Sequence, residues 1–456
     1  MRSWLLAALL FALGSPALAD ATLTVDTAYD PLAASPIRVS GAAPGEVLTL
    51  VTVRKLTVWR QGTDGQWGPQ SVPFIGWAEI KADRAGNVDI ASAIPLSGSY
   101  DMADPLGLSW SAYPVDNPAV PAVPAMYRDL VQVEDSQFAV RLLRKNAVIA
   151  SAEMSLKSPV SNLRFATVQQ VGLVGVYASP KNAKGLPTLI VLHGSEGGSI
   201  EKAKANAALY ARQGFATLAI AYYAQSYEAT EFVASSGIEI DVNQLERARD
   251  WLGNQAEADI RRIGVWGQSK GGEFTMVAAS RFPWVKAAVG CVPSDIIWQG
   301  FGEGENVPPA RSTWMLDGKP MPFVPLYPYV EGRYRENTDR YERSRRFNAE
   351  AAVSARIPIE KTKAKLLLIG SDRDEVWASG AMARNIAKTM SEAGKARQVE
   401  TLVFPTAGHP ICGDGGFPVR AYGKDETDPD RKSLNAEGHA AMQAFRRTIA
   451  FLKSAL

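Results

Sequence analysis

The sequence predicts an α/β protein in two parts: an all-β module, then a parallel sheet packed between helices. Three observations lead there. Residues 20–160 alternate apolar and polar positions in short runs divided by turn residues. From about residue 165 the pattern becomes unbroken apolar runs separated by helical stretches, as in a sheet buried on both faces. A chain of 456 residues also exceeds what one core commonly organises.

The elements follow in order. Arg2, the apolar run 4–13, the breakers Gly14 and Pro16, and Ala17-Leu18-Ala19 read as a secretory signal peptide over residues 1–19, cleaved before Asp20. That run is about half of the roughly 20 apolar residues a span needs, so no stable membrane anchor is expected. Strand alternation then appears at Ile37 and Val39, at Val47, Thr49, Val51 and Val53, at Ala78, Ile80 and Ala82, and at Phe138, Val140 and Leu142. Gly86-Asn87 and Lys145-Asn146 supply turns, the latter a hairpin tip. This spacing suggests a β-sandwich over residues 20–160. Pro114, Pro118, Pro121 and Pro124 mark an irregular loop within it.

The second part, 165–456, carries apolar runs at 188–192, 216–221, 263–266, 287–292, 365–369 and 399–404. A helix is expected at 238–256, with Leu245, Ala248 and Leu252 on one face. A last helix is expected to show Met442, Phe445, Ile449 and Leu452 on one face. The rhythm lapses over 294–358, an aromatic and proline-containing insert placed to cap a site. Its charged stretch 333–346 reads as a solvated helix face.

Chemistry concentrates at four strand ends. Gly267-Gln268-Ser269-Lys270-Gly271 lies between an apolar run and a helical stretch. A sharp strand-to-helix reversal needs glycine on both sides and lifts the serine hydroxyl clear of the sheet, beside the positive helix start. Ser269 is therefore the candidate nucleophile of an α/β-hydrolase. A serine needs a base. Of the three histidines, His409 follows the last apolar run in a loop able to reach Ser269, His193 orders its own loop, and His439 reads as a surface residue of the last helix. The acid that orients the base is Asp372 or Asp374, both just past the run 365–369. The loop from His193 to Gly198 offers N–H groups to an oxyanion, with Ser195 and Lys270 as the expected donors and Glu196 as the substitute for Ser195.

The formal charge of +2 offers no field for nucleic acid. The chemistry needs no cofactor and no metal, and the expected partner is a small molecule carrying an acyl group open to attack. Cys291 and Cys412 are compatible with a disulfide adding roughly 4 kcal/mol, or with two separate buried thiols.

Several segments together resemble the acyl-CoA thioesterase and bile acid-CoA:amino acid N-acyltransferase family. They are 37–41, 85–89, 98–100 and 104–111 in the first part, and 214–223, 267–273, 357–361, 370–379 and 407–409 in the second. The resemblance spans nearly the whole chain after residue 19. It implies an immunoglobulin-like β-sandwich ahead of the α/β-hydrolase, and a nucleophile–His–Asp triad. Counting back from Trp377 and Ser379, the family pattern points to Asp374. Members that transfer the acyl group to an amino acid use Cys, and hydrolytic members use Ser, so Ser269 implies water as acceptor. The export signal sets the chain apart from the familiar members, since acyl-CoA is an intracellular metabolite. The rival readings are a carboxylesterase, lactonase or peptidase on the same triad, or a non-catalytic binding protein of the cell envelope. The reading implies a secreted or periplasmic enzyme.

Overall fold

Alternation at residues 37–40 decides how the first part packs. Ile37 and Val39 are buried while Arg38 and Ser40 face solvent. They belong to a three-stranded sheet of Thr22–Val25, Ile37–Ser40 and Val88–Asp89. A larger sheet faces it, built on the long hairpin of Val47–Gln61 and Trp67–Lys81 beside Gln137–Arg144 and Ala147–Leu156. The two sheets share one core, with Ile37, Val39 and Val88 from one side and Leu48, Leu50, Ile80, Phe138, Val140 and Leu142 from the other. In the computed structural model the described residues are 20–61, 65–116, 137–224, 232–302, 307–328, 337–421 and 431–456. The signal-peptide reading of 1–19, Pro118, Pro121 and Pro124, and residues 333–336 of the insert lie outside them.

Lys145 and Asn146 both adopt positive φ, 49° and 68°, at the tip joining Gln137–Arg144 to Ala147–Leu156. This is the left-handed pair that a two-residue hairpin turn requires. The valines at 51 and 53 point away from the shared core. They pack instead with Ile75, Ala139 and Leu143, so this strand is buried on both faces.

The second part is an eight-stranded sheet. Its spatial order is Leu163–Gln170, Leu173–Pro180, Ala216–Ile220, Leu186–Leu192, Ala258–Gln268, Val285–Cys291, Lys365–Ser371 and Val399–Phe404. The first pairings are antiparallel and all later ones parallel. This is the α/β-hydrolase fold. Each apolar run feeds both faces: Ile190, Leu192, Ile263, Val265, Leu366 and Leu368 join one core, and Leu189, Val191, Trp266, Leu367 and Ile369 the other. The first strand escaped the sequence reading as a sheet member because Arg164, Thr167, Gln169 and Gln170 break any apolar run at the sheet edge, and the second, Leu173–Pro180, escaped it although it is buried and largely apolar. The helix expected at 238–256 is shorter, Gln244–Leu252, because Ile240–Asp241 pairs in parallel with Trp314–Leu316 of the insert. The insert's charged stretch forms the helix Asn337–Phe347, which is only partly solvated: Arg340 and Ser344 are buried.

The last helix, Arg431–Ala455, joins the two parts. Phe445, Ile449 and Leu452 pack on the large sheet, as their spacing predicts. Met442 leaves that face and enters the sandwich core. His439 is likewise not a free surface residue: its Nδ1 lies 2.8 Å from Oδ2 of Asp104, which is fully buried. Gly438 lies against Trp110, and a Cβ there would come within 2.1 Å of the indole ring. Gly438→Ala gains up to about 1 kcal/mol of helix propensity. It loses about 1–3 kcal/mol to overpacking against a buried, rigid ring. The variant is expected to unfold at lower temperature in calorimetry. A melting temperature at or above that of the parent would show that the helix does not dock there.

Candidate active site

Ser269 stands between the strand Ala258–Gln268 and the helix Lys270–Arg281 with φ 54° and ψ −120°. This left-handed conformation costs a non-glycine residue on the order of 1–3 kcal/mol. The surrounding structure imposes it. A Cβ on Gly267 would fall 2.1 Å from the Gly271 carbonyl oxygen, and one on Gly271 would fall 2.4 Å from the carbonyls of Leu192 and His193. The Ser269 N–H donates to the Cys291 carbonyl at 2.9 Å on the neighbouring strand. Both glycines are thus demanded by close backbone approach, as the sequence reading expected.

The two aspartates left open by spacing separate clearly. Asp374 is buried, and its Oδ1 and Oδ2 lie 2.8 and 2.9 Å from His409 Nδ1. Its Oδ1 also accepts the N–H groups of Val376 and Trp377. Those bonds orient the carboxylate that faces the imidazole. Asp372 instead forms a two-pronged ion pair with Arg384, at 2.8 and 2.6 Å, toward solvent. Its partner is not the adjacent Arg373. The His409 N–H donates to Glu375 at 2.9 Å, and the Trp377 ring meets the imidazole edge-on at 6.1 Å. Trp377 in turn donates its indole N–H to the Val292 carbonyl. Ser269, Asp374 and His409 all follow the C-terminal ends of parallel strands; those before Asp374 and His409 are adjacent, and Val285–Cys291 separates them from the strand before Ser269.

The Gly-rich loop runs beside the nucleophile: a Cβ on Gly194 would lie 3.2 Å from the Ser269 Cβ. His193 orders this loop. Its ring stacks on Tyr222 at 4.0 Å, its Nδ1 lies 2.7 Å from the Gly194 carbonyl, and its own carbonyl accepts the Tyr222 hydroxyl at 2.7 Å. The Glu196 carboxylate takes the N–H of Gly194 and the amide of Gln268. This ties the loop holding Ser195 to the elbow. Lys270 begins the helix, and its side chain is buried with Glu273. Burial pushes the Lys270 ammonium down and the Glu273 carboxyl up from their ordinary pKa values, and their mutual attraction opposes both shifts.

Cys291 and Cys412 are joined in a disulfide with Cα atoms 6.1 Å apart, across 121 residues. The bridge connects the strand whose carbonyl holds Ser269 N–H to a point three residues past His409. Beyond it, the Gly416 carbonyl accepts Arg54 Nη2 at 2.9 Å and Ser109 Oγ at 2.7 Å, and Arg420 donates to the Ser111 carbonyl. The sandwich therefore holds the far side of the His409 loop. Glu375 and these sandwich contacts had no signal in spacing, and Trp377 entered only as a landmark of the family pattern, not as a neighbour of His409. The Lys270–Glu273 pair had such a signal, as an i,i+3 spacing on a helix. Among the described residues no group of three or more His, Cys, Asp or Glu is placed to hold a metal ion, and no helix is long and apolar enough to cross a membrane.

Comparison with known proteins is consistent across the chain. The family described as Acyl-CoA thioester hydrolase/BAAT N-terminal region matches residues 33–157, and BAAT / Acyl-CoA thioester hydrolase C terminal matches 240–414. The Dienelactone hydrolase family matches 173–300. Acyl-coenzyme A thioesterase 2, mitochondrial, of Rattus norvegicus is 25% identical over 75% of this chain and 72% of its own length. Acyl-coenzyme A amino acid N-acyltransferase 2 of Mus musculus is 25% identical over 84% of this chain and 86% of its own length. Among solved structures, a hyperthermophilic esterase from the archaeon Pyrobaculum calidifontis aligns with 65% of this chain and 87% of its own, at 16% identity and a TM-score of 0.38.

Removing the disulfide in a Cys291→Ala, Cys412→Ala double variant is expected to cost about 2–5 kcal/mol. Thermal unfolding with and without reductant checks it. The reduced parent should melt with the variant, and a parent unmoved by reductant would show that the bridge constrains nothing.

Proposed function

The chain belongs to the acyl-CoA thioester hydrolase/BAAT family, and from that premise we propose that it is a serine hydrolase that cleaves an acyl thioester or ester through an acyl-enzyme intermediate. The observation that carries the reading is the buried Asp374 carboxylate gripping His409 Nδ1, on the strand edge that presents Ser269 in its strained turn. With Nδ1–H donated to Asp374, the free Nε2 is the basic face of the ring. His409 Nε2 removes the Ser269 Oγ proton as Oγ attacks the acyl carbonyl. The N–H groups of Ser195 and Lys270 hold the resulting oxyanion. Collapse expels the leaving group, which takes the proton from His409. A water, deprotonated by the same nitrogen, attacks the acyl-enzyme and releases the acid and Ser269. A serine nucleophile favours water over an amino acid as acceptor.

We further propose that the protein is exported, acting in the periplasm or the medium. The leader-like residues 1–19 motivate this, and the Cys291–Cys412 disulfide supports it, since such bonds persist in oxidising compartments. Export would separate the enzyme from intracellular acyl-CoA. It therefore favours acyl esters, or CoA esters released outside the cell, as substrates.

A panel of long-chain acyl-CoA, short acyl-CoA, p-nitrophenyl ester and aminoacyl-arylamide tests the substrate class. Turnover best on acyl-CoA supports thioesterase chemistry, turnover on the simple ester alone supports a carboxylesterase, and turnover of the arylamide a peptidase. Ser269→Ala should abolish both turnover and labelling by a fluorophosphonate. Absence of label on the folded parent would sink the serine mechanism and leave the binding-protein reading. Asp374→Asn should lower kcat by about 10⁴, through the wrong histidine tautomer. Asp372→Asn removes only an exposed ion pair and should stay within about threefold. Equal losses in the two variants would contradict the assignment.

A further inference from the structure

The two oxyanion donors of this reading lie on separate pieces of chain. Ser195 is in the loop after Leu186–Leu192, and Lys270 heads the helix after Ser269. Both N–H groups must aim at one point, and a side-chain network running through the insert ties the two pieces together. Lys270 Nζ donates to Glu273 Oε1 and Oε2 at 3.1 and 3.0 Å and to Thr313 Oγ1 at 2.9 Å, which uses all three ammonium hydrogens. Thr313 Oγ1 lies 2.9 Å from the Trp298 carbonyl, within the same insert. Glu273 Oε1 also accepts the Trp314 indole N–H at 2.7 Å. The Trp314 ring stacks on Phe274 at 4.3 Å and lies 5.8 Å from Tyr222. Tyr222 in turn stacks on His193 and donates to its carbonyl. The path from one donor's residue to the other donor's loop is therefore Lys270, Glu273, Trp314, Tyr222, His193.

Stability alone does not call for this arrangement. A buried ion pair can be replaced by apolar residues of similar volume with little or no loss. What apolar packing does not supply is direction, and only a fixed acceptor sets the rotation of the indole about its own plane. Resting on the serine-hydrolase reading, we propose that Trp314 is a positioning residue. Held by the Lys270–Glu273 pair on one side and against Tyr222 on the other, it registers the two oxyanion donors and couples them to the seating of the insert.

The test uses two variants of the full chain. Trp314→Phe keeps an aromatic ring between Phe274 and Tyr222 and removes the N–H bond. The double variant Lys270→Met, Glu273→Leu removes both charges together, so that no lone buried charge threatens folding. Each is measured for kcat and KM, for affinity toward a boronic acid that mimics the tetrahedral state, and for amide hydrogen exchange over residues 193–198. Misplacing one oxyanion donor predicts a fall in kcat of about 10²-fold with KM little changed. It also predicts an equal loss of boronate affinity and faster exchange in the loop. A lower melting temperature with kcat and boronate affinity intact would mean a structural role only and overturn the proposal. So would unchanged exchange over 193–198. If the parent itself shows no Ser269-dependent turnover, the hydrolase reading falls, and the exchange readout still decides whether Trp314 holds the loop.

Discussion

The backbone turn at Ser269 is the constraint on which the other parts depend. A serine at φ 54° does not hold itself there. It is held because the strand Ala258–Gln268 and the helix Lys270–Arg281 are each buried in the sheet's cores, and because Gly267 and Gly271 let their backbones approach to contact. The strain is small beside the apolar burial that enforces it. The same close approach brings the carbonyls of Leu192 and His193 against Gly271, so the elbow and the Gly-rich loop are one packed unit.

Around that unit the molecule fixes the remaining groups from two directions. The insert reaches the elbow through Thr313 and Trp314, which bond to the Lys270–Glu273 pair. The sandwich reaches the opposite side through the chain after His409, by Arg54, Ser109 and Arg420. Between them the disulfide ties Cys412 to the strand that anchors Ser269 N–H. A histidine on a long return loop would otherwise sample many positions, and each fixed contact removes some of that freedom before substrate arrives.

How much of this was legible in the sequence follows from which signals are local. The elbow was legible because steric demand writes glycine at fixed offsets around a serine. The buried strands were legible because burial on both faces writes continuous apolar runs. The edge strand Leu163–Gln170 was not, since polar residues facing solvent interrupt it, and Leu173–Pro180 beside it was missed although it is buried and largely apolar. Met442 was placed on one helix face with Phe445, Ile449 and Leu452 but packs in the sandwich core, because helical spacing defines a face and says nothing about which of two partners covers it. Spacing within this chain alone left Asp372 and Asp374 open and only the family pattern pointed to Asp374; the burial and the two N–H donors that set it apart have no spacing of their own. Trp314 was invisible for the same reason: it meets Glu273 across 41 positions.

The sandwich thereby supports a candidate site that it does not line. Trp110 contacts the last helix at Gly438, accepts the Val419 N–H through its carbonyl, and lies fully buried in the sandwich core. One residue of the first part thus braces two segments of the second, one leading from the proposed base and one packing beneath the sheet. A sandwich joined only by a linker would leave the loop beyond Cys412 without its bonds to Arg54, Ser109 and Ser111. With the sandwich docked, the loop is held by directional bonds to backbone carbonyls and by a bridge at its base. His409 itself is held by Asp374 and Glu375 after the strand Lys365–Ser371, and the chain beyond it is held by the sandwich.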